Sequence, residues 1–165
     1  MKKIIATVSI MIIYAGTVFA VDPAEGYWLS VDSRTGEIQS GWEIYVSNGK
    51  LLGKMLSGLG ITAADIASKC RESYANFPIP GRVNQMPVLG TPWIFNLSME
   101  SPGRWSGGNV IDPSGGSMYR CSIIHHPADG ARYQYESLEI RGQVLFFSGS
   151  QYWRRATFEE ASALR

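Results

Sequence analysis

Residues 42–56 read Trp42-Glu43-Ile44-Tyr45-Val46-Ser47-Asn48-Gly49-Lys50-Leu51-Leu52-Gly53-Lys54-Met55-Leu56. Trp42, Ile44 and Val46 alternate with Glu43, Tyr45 and Ser47, the period of two that gives a strand one apolar and one polar face. Asn48-Gly49 supplies two residues that tolerate positive φ, the requirement of a tight hairpin turn. Lys50–Leu56 is then the returning strand, and the stretch predicts an antiparallel β protein.

Turn-like punctuation recurs outward from this hairpin in both directions. On the amino-terminal side, Tyr27–Val31 reads as a short strand that ends in Asp32-Ser33-Arg34-Thr35-Gly36. On the other side, strands are expected over Trp93–Met99, Trp105–Ile111, Ser117–Ile124, Tyr133–Arg141 and Val144–Arg155, the last broken near Gly149. Thr62-Ala63-Ala64-Asp65 resembles a helix start and predicts an inserted helix to about Tyr74, with Ala63, Ile66, Ala67, Cys70 and Tyr74 on one face. Pro78, Pro80, Pro87 and Pro92 make residues 76–92 a loop, which could lie as a lid across one end. Thr157-Phe158-Glu159-Glu160 has capping-box spacing and predicts a short carboxy-terminal helix. About eight antiparallel strands hide their edges by closing into a barrel.

The first residues belong to a different kind of segment. Lys2 and Lys3 precede an uncharged run, Ile4–Phe19, and Val18-Phe19-Ala20 has the small residues of a cleavage site. Residues 1–20 are therefore expected to be a signal peptide cut after Ala20, leaving 21–165 as a single exported domain in the periplasm or outside the cell. The run is short for a membrane span. Val21 is not the cysteine that lipid attachment requires, so neither a transmembrane segment nor a lipid anchor is expected after processing. Loss of the two lysines takes the formal charge from +1 to near −1. With Arg and Lys scattered among acids, no nucleic-acid partner is indicated.

Cys70 and Cys121 are the two cysteines. In an oxidising compartment one disulfide between them is the simplest reading, with two buried free thiols as the alternative. No C-x-x-C or paired histidine at ligand spacing suggests a metal, and no cofactor is implied. His125 and His126 are adjacent and read as a solvated strand end. No nucleophile elbow, phosphate loop or metalloprotease motif is present, so no catalytic residue is assigned. Glu43, Asp112, Glu136 and Glu139 contain an acid pair only if the fold brings two together. Arg141 alternates with Tyr133, Tyr135 and Glu139 on one face, where it could bind a ligand carboxylate or, more plainly, pair with Glu139.

Five tryptophans and several tyrosines suit either a filled barrel core or a cavity for an amphipathic ligand. Trp28, Trp42, Trp105, Tyr119, Tyr135 and Arg141 are the ligand-binding candidates.

Gly26-Tyr27-Trp28 resembles the G-x-W of lipocalin-like barrels. The resemblance implies that Trp28 closes one end and that an arginine of the last strand, Arg154 or Arg155, lies over it. The run Trp105-Ser106-Gly107-Gly108-Asn109-Val110-Ile111-Asp112-Pro113-Ser114-Gly115, then Tyr119-Arg120-Cys121, reads physically as a hairpin with a proline- and glycine-built turn. With Asn48–Lys54, Leu138–Gly142 and Trp153-Arg154-Arg155, it resembles the domain-of-unknown-function family 2147 of bacterial exported proteins. That resemblance implies a periplasmic, lipocalin-like barrel and supplies no catalytic residues. Members often carry a C-x-x-C-like pair; here Ala67 stands at the earlier position, which leaves Cys121 as the partner for Cys70.

A barrel that binds a small apolar or amphipathic ligand is the leading expectation. An envelope-associated interaction module without a small ligand is the alternative, and an enzyme is third.

Overall fold

The computed structural model describes residues 21–144, 147–148 and 150–164. The expected signal peptide lies outside them. Nine strands follow in order: β1 (Gly26–Val31), β2 (Ile38–Ser47), β3 (Lys50–Gly58), β4 (Pro92–Ser101), β5 (Arg104–Ile111), β6 (Met118–His126), β7 (Ser137–Val144), the two-residue β8 (Phe147–Ser148) and β9 (Gln151–Ala156). Each of β1 to β7 pairs antiparallel with the next; β7 then pairs with β9 and β9 with β1. Eight strands thus close on themselves, with β8 appended to β7 as a hairpin. Closure leaves no free edge among them.

The turn that predicted this architecture forms as read. Asn48 and Gly49 have φ of 51° and 72°, matching the right-handed twist of the strands they join. Thr157 caps the carboxy-terminal helix α1 (Phe158–Ser162) in a full capping box with Glu160. The helix lies against the outer wall at Gly41, where a Cβ would come within 1.8 Å of the Ala161 carbonyl oxygen. Ser57, paired with Gly41 on β3, donates its hydroxyl to that same oxygen at 2.6 Å.

The connection from β3 to β4 differs from its expectation. No helix forms at 62–74; the segment is a series of turns, with a single 3-10 turn at Val83–Gln85. Asp65 is the reason at the amino end, because its carboxylate accepts both the amide N–H and the hydroxyl of Thr62, a local alternative to the helical ladder. Ala67 and Val88 bond across the segment to Met86 and Asp65 instead. Ala67, Cys70, Val83 and Val88 are buried in the same apolar cluster as Trp93 and Phe95, while Ile66 is exposed.

Nor is the loop a lid over the barrel. Trp93 and Phe95 flank the inward Ile94 and so face out of the barrel. Phe77 packs on both rings, at 6.2 and 5.2 Å, and the Trp93 indole donates to the Val88 carbonyl. The segment is a second layer on the outside wall. It also braces the β5–β6 turn, where the Tyr74 hydroxyl donates to the Gly116 carbonyl at 2.5 Å.

The expected disulfide is absent: Cys70 and Cys121 are both buried free thiols. Cys70 sits under the β5–β6 turn, near the Pro113 carbonyl, whereas Cys121 lies within β6, opposite Gly108 and Gly142. Without the predicted helix, the face that was to carry Cys70 toward Cys121 does not exist.

Candidate functional site

The two ends of the barrel are built differently. One end is plugged by Asp22-Pro23-Ala24-Glu25, a turn closed by the Glu25 amide on the Asp22 carbonyl. Buried Asp22 accepts from the Gly103 amide and from the Trp105 indole, each at 3.0 Å. Trp28 is fully buried here and donates to the Ala24 carbonyl. The Arg155 guanidinium lies 4.1 Å above the Trp28 ring and donates to the carbonyls of Glu25 and Pro23 and to the Glu136 carboxylate. Gly26 makes room for it, since a Cβ there would stand 2.4 Å from Arg155 Nη1. Arg154, the neighbouring candidate, is exposed and does not take this place.

The opposite end is open. A cavity of about 280 Å3 enters the barrel between the β1–β2 and β5–β6 turns. Its body is apolar, with Met55, Ile94, Val110, Ile140 and two indoles, Trp42 and Trp153, stacked at 5.0 Å and 30°. Its rim is polar and includes Ser30, Ser40, Asp112 and Gln151. The rim is itself wired: the Trp42 indole donates to Ser40 Oγ at 2.7 Å, and Ser40 and Ser30 share a hydrogen bond of 2.6 Å. The Trp153 indole donates to Gln151 Oε1.

Of the six sequence-derived ligand candidates, the cavity takes Trp42 alone. Trp28 and Trp105 belong to the plug at the other end. Tyr119 is half-buried and does not line the cavity, and Tyr135, 65% exposed, lies beyond β6 in the loop to β7. Arg141 stands on the outer wall, bonded through Nε and Nη2 to both oxygens of Glu139. The face it shares with Glu139 is outside, because Ile140 is the residue that lines the cavity. Trp153, Ser30 and Ser40 were not singled out by sequence. Alternation from Trp42 and Trp28 within paired β1 and β2 was the signal that could have found the serines.

The expected solvated histidines are engaged side chains. His125 Nε2 lies 2.8 Å from Glu136, and His126 Nε2 lies 2.7 Å from Glu139 while its ring stacks on Tyr133 at 4.2 Å. Glu139 is 2% exposed, and burial alone would raise its pKa. Hydrogen bonds from Arg141, Ser150 and His126 outweigh that and hold it at about 2. Glu43 pairs with Lys54, so the four candidate acids go to separate partners rather than to one another. Among the described residues, no three His, Cys, Asp or Glu side chains come together to hold a metal.

A closed eight-stranded antiparallel barrel, plugged at one end by a tryptophan under an arginine and open at the other, is a lipocalin-like barrel. The solved structure of protein HP1028 from the human pathogen Helicobacter pylori, described as belonging to the lipocalin family, is similar: the TM-score is 0.61 at 16% identity, over 86% of this chain and 87% of that one. The chain belongs to the family described as uncharacterized proteins conserved in bacteria (DUF2147), which matches residues 26–155. No curated protein matches it.

Proposed function

We propose that this is an exported carrier or sensor that binds one small apolar or amphipathic molecule in the open end of the barrel. The observation that carries the reading is the cavity, with a stacked tryptophan pair in its body and a hydrogen-bonded polar rim. At about 280 Å3 it stands near the small end of ligand pockets, roughly 300–1,000 Å3, and matches their pattern of apolar walls with a few placed polar groups. Export rests on the charged start, uncharged run and cleavage-type site of residues 1–20. Among the described residues, no helix is long and apolar enough to cross a membrane.

Titration with the neutral fluorophore N-phenyl-1-naphthylamine tests the binding reading. Tryptophan emission should fall saturably at one probe per chain as energy passes from Trp42 and Trp153 to the bound fluorophore. Val110→Phe, which fills the cavity, should weaken the effect. A wild-type chain that gives no saturable signal overturns the reading. Export is tested by the mass of protein recovered from the periplasmic fraction, which should begin at Val21.

A further inference from the structure

Among the described residues, the rim of the cavity carries a carboxylate and no cation. Asp112 is the single charged residue among the described residues that line the cavity. Its Oδ1 accepts the Ser114 amide and hydroxyl at 2.9 and 2.7 Å, and its Oδ2 has no hydrogen-bond partner among the described residues. Ser30 and Gln151 also border an adjoining pocket that contains Asp32, the first residue of the β1–β2 turn. Asp32 is held below the usual carboxylate range by the backbone amides of Thr35 and Arg34, which donate to it. Two cations stand close by, Arg34 in that same turn and Lys69, whose backbone packs on Gly116 of the β5–β6 turn, and neither lines either pocket.

The other rim groups are neutral. Because the Trp42 indole can only donate, Ser40 accepts from it, and one hydrogen of the two serine hydroxyls joins the pair to each other. The remaining hydroxyl hydrogen and the Gln151 amide can serve a neutral oxygen on a ligand. They do not cancel the repulsion between a carboxylate head and Asp112, which at a few ångströms near a surface amounts to a tenfold or larger loss of affinity. A protonated amine has the opposite interaction. It can donate to Asp112 Oδ2, and the two indoles that line the same cavity favour a cation over an anion.

We infer that the cavity selects amphiphiles with a cationic, hydrogen-bond-donating head, alkylammonium compounds in the simplest case, over amphiphiles with an anionic head such as fatty carboxylates. This rests on the reading of the cavity as a ligand site and gives that site its ligand class. The apolar tail enters between Trp42, Trp153, Met55 and Ile94, and the head stays at the β5–β6 turn.

Calorimetric titration of the folded mature chain with octylammonium, octanol and octanoate at neutral pH and low salt separates the two claims. The expected order is octylammonium, octanol, octanoate, with about tenfold or more between the first and the last. In Asp112→Asn the ratio of octylammonium to octanoate affinity should collapse to within about threefold. In Asp129→Asn, at a turn near the plugged end, it should stay as in the parent. Octanol binding combined with equal affinities for the two charged probes, or a preference for octanoate, overturns the selectivity while leaving the ligand site standing. Failure of all three to bind overturns both.

Discussion

Arg155 and Trp28 form one unit, with the guanidinium 4.1 Å over the indole and its hydrogens shared among Pro23, Glu25 and Glu136. The last paired strand is thereby tied to the first at the sealed end. Arg155→Ala should cost about 2–3 kcal/mol, as the loss of the charge-assisted hydrogen bonds to the Pro23 and Glu25 carbonyls and of the contact with the Trp28 ring. Arg155→Lys should recover less than half of that, because an ammonium cannot lie flat on the ring and reach several acceptors together. Urea unfolding of both variants measures the difference.

Glu139 contributes to the acid limb of stability. Its pKa of about 2 lies below the ordinary glutamate value, so its contribution is fully present above about pH 4.5 and is lost as the pH falls toward 2. The shift corresponds to about 3 kcal/mol. Glu139→Gln should be less stable than the parent at pH 7 and should show a shallower loss between pH 4.5 and 2, read from unfolding midpoints across that range.

The thiols should be slow but free. Cys121 is pushed up to about 12 by burial, and Cys70 is raised by burial as well. Alkylation of unreduced protein should label two cysteines per chain after unfolding and few before it. A non-reduced mass two hydrogens short would contradict this.

Ser40 is expected to matter for the shape of the cavity as well as for its polarity. Ser40→Ala removes the acceptor of the Trp42 indole and should destabilise by about 1–3 kcal/mol, the cost of a buried donor left unpaired. The same variant should change the near-ultraviolet circular dichroism of the Trp42–Trp153 stack.

Helix α1 should detach when its seat is filled. In Gly41→Val the new side chain would meet the Ala161 backbone, so proteolysis after Thr157 should quicken while the barrel persists.

The barrel was legible because its signals are local. Alternation along Trp42–Ser47, Asn48-Gly49 and the proline- and glycine-built turn at 112–116 each specify a hairpin from adjacent residues, and hairpins joined in series leave closure as the way to bury edges. The inserted helix failed because Thr62-Ala63-Ala64-Asp65 satisfies itself through Asp65, and because the Ala67 amide and the Asp65 carbonyl bond to Met86 and Val88, about twenty residues on. The same non-locality explains the site. Which face of β7 looks inward depends on its pairing with β6 and β9, so Arg141 and Ile140 could not be told apart by alternation alone. Asp22, which receives the Trp105 indole from 83 residues away, had no local mark at all.

The turn Asp22–Glu25 also decides how the molecule would stand on a surface. Val21, next to that turn at the sealed end, is exposed. A protein immobilised through an extension at that residue would therefore present its mouth away from the support. Probes in the surrounding fluid would reach the cavity at the rate found for untethered molecules.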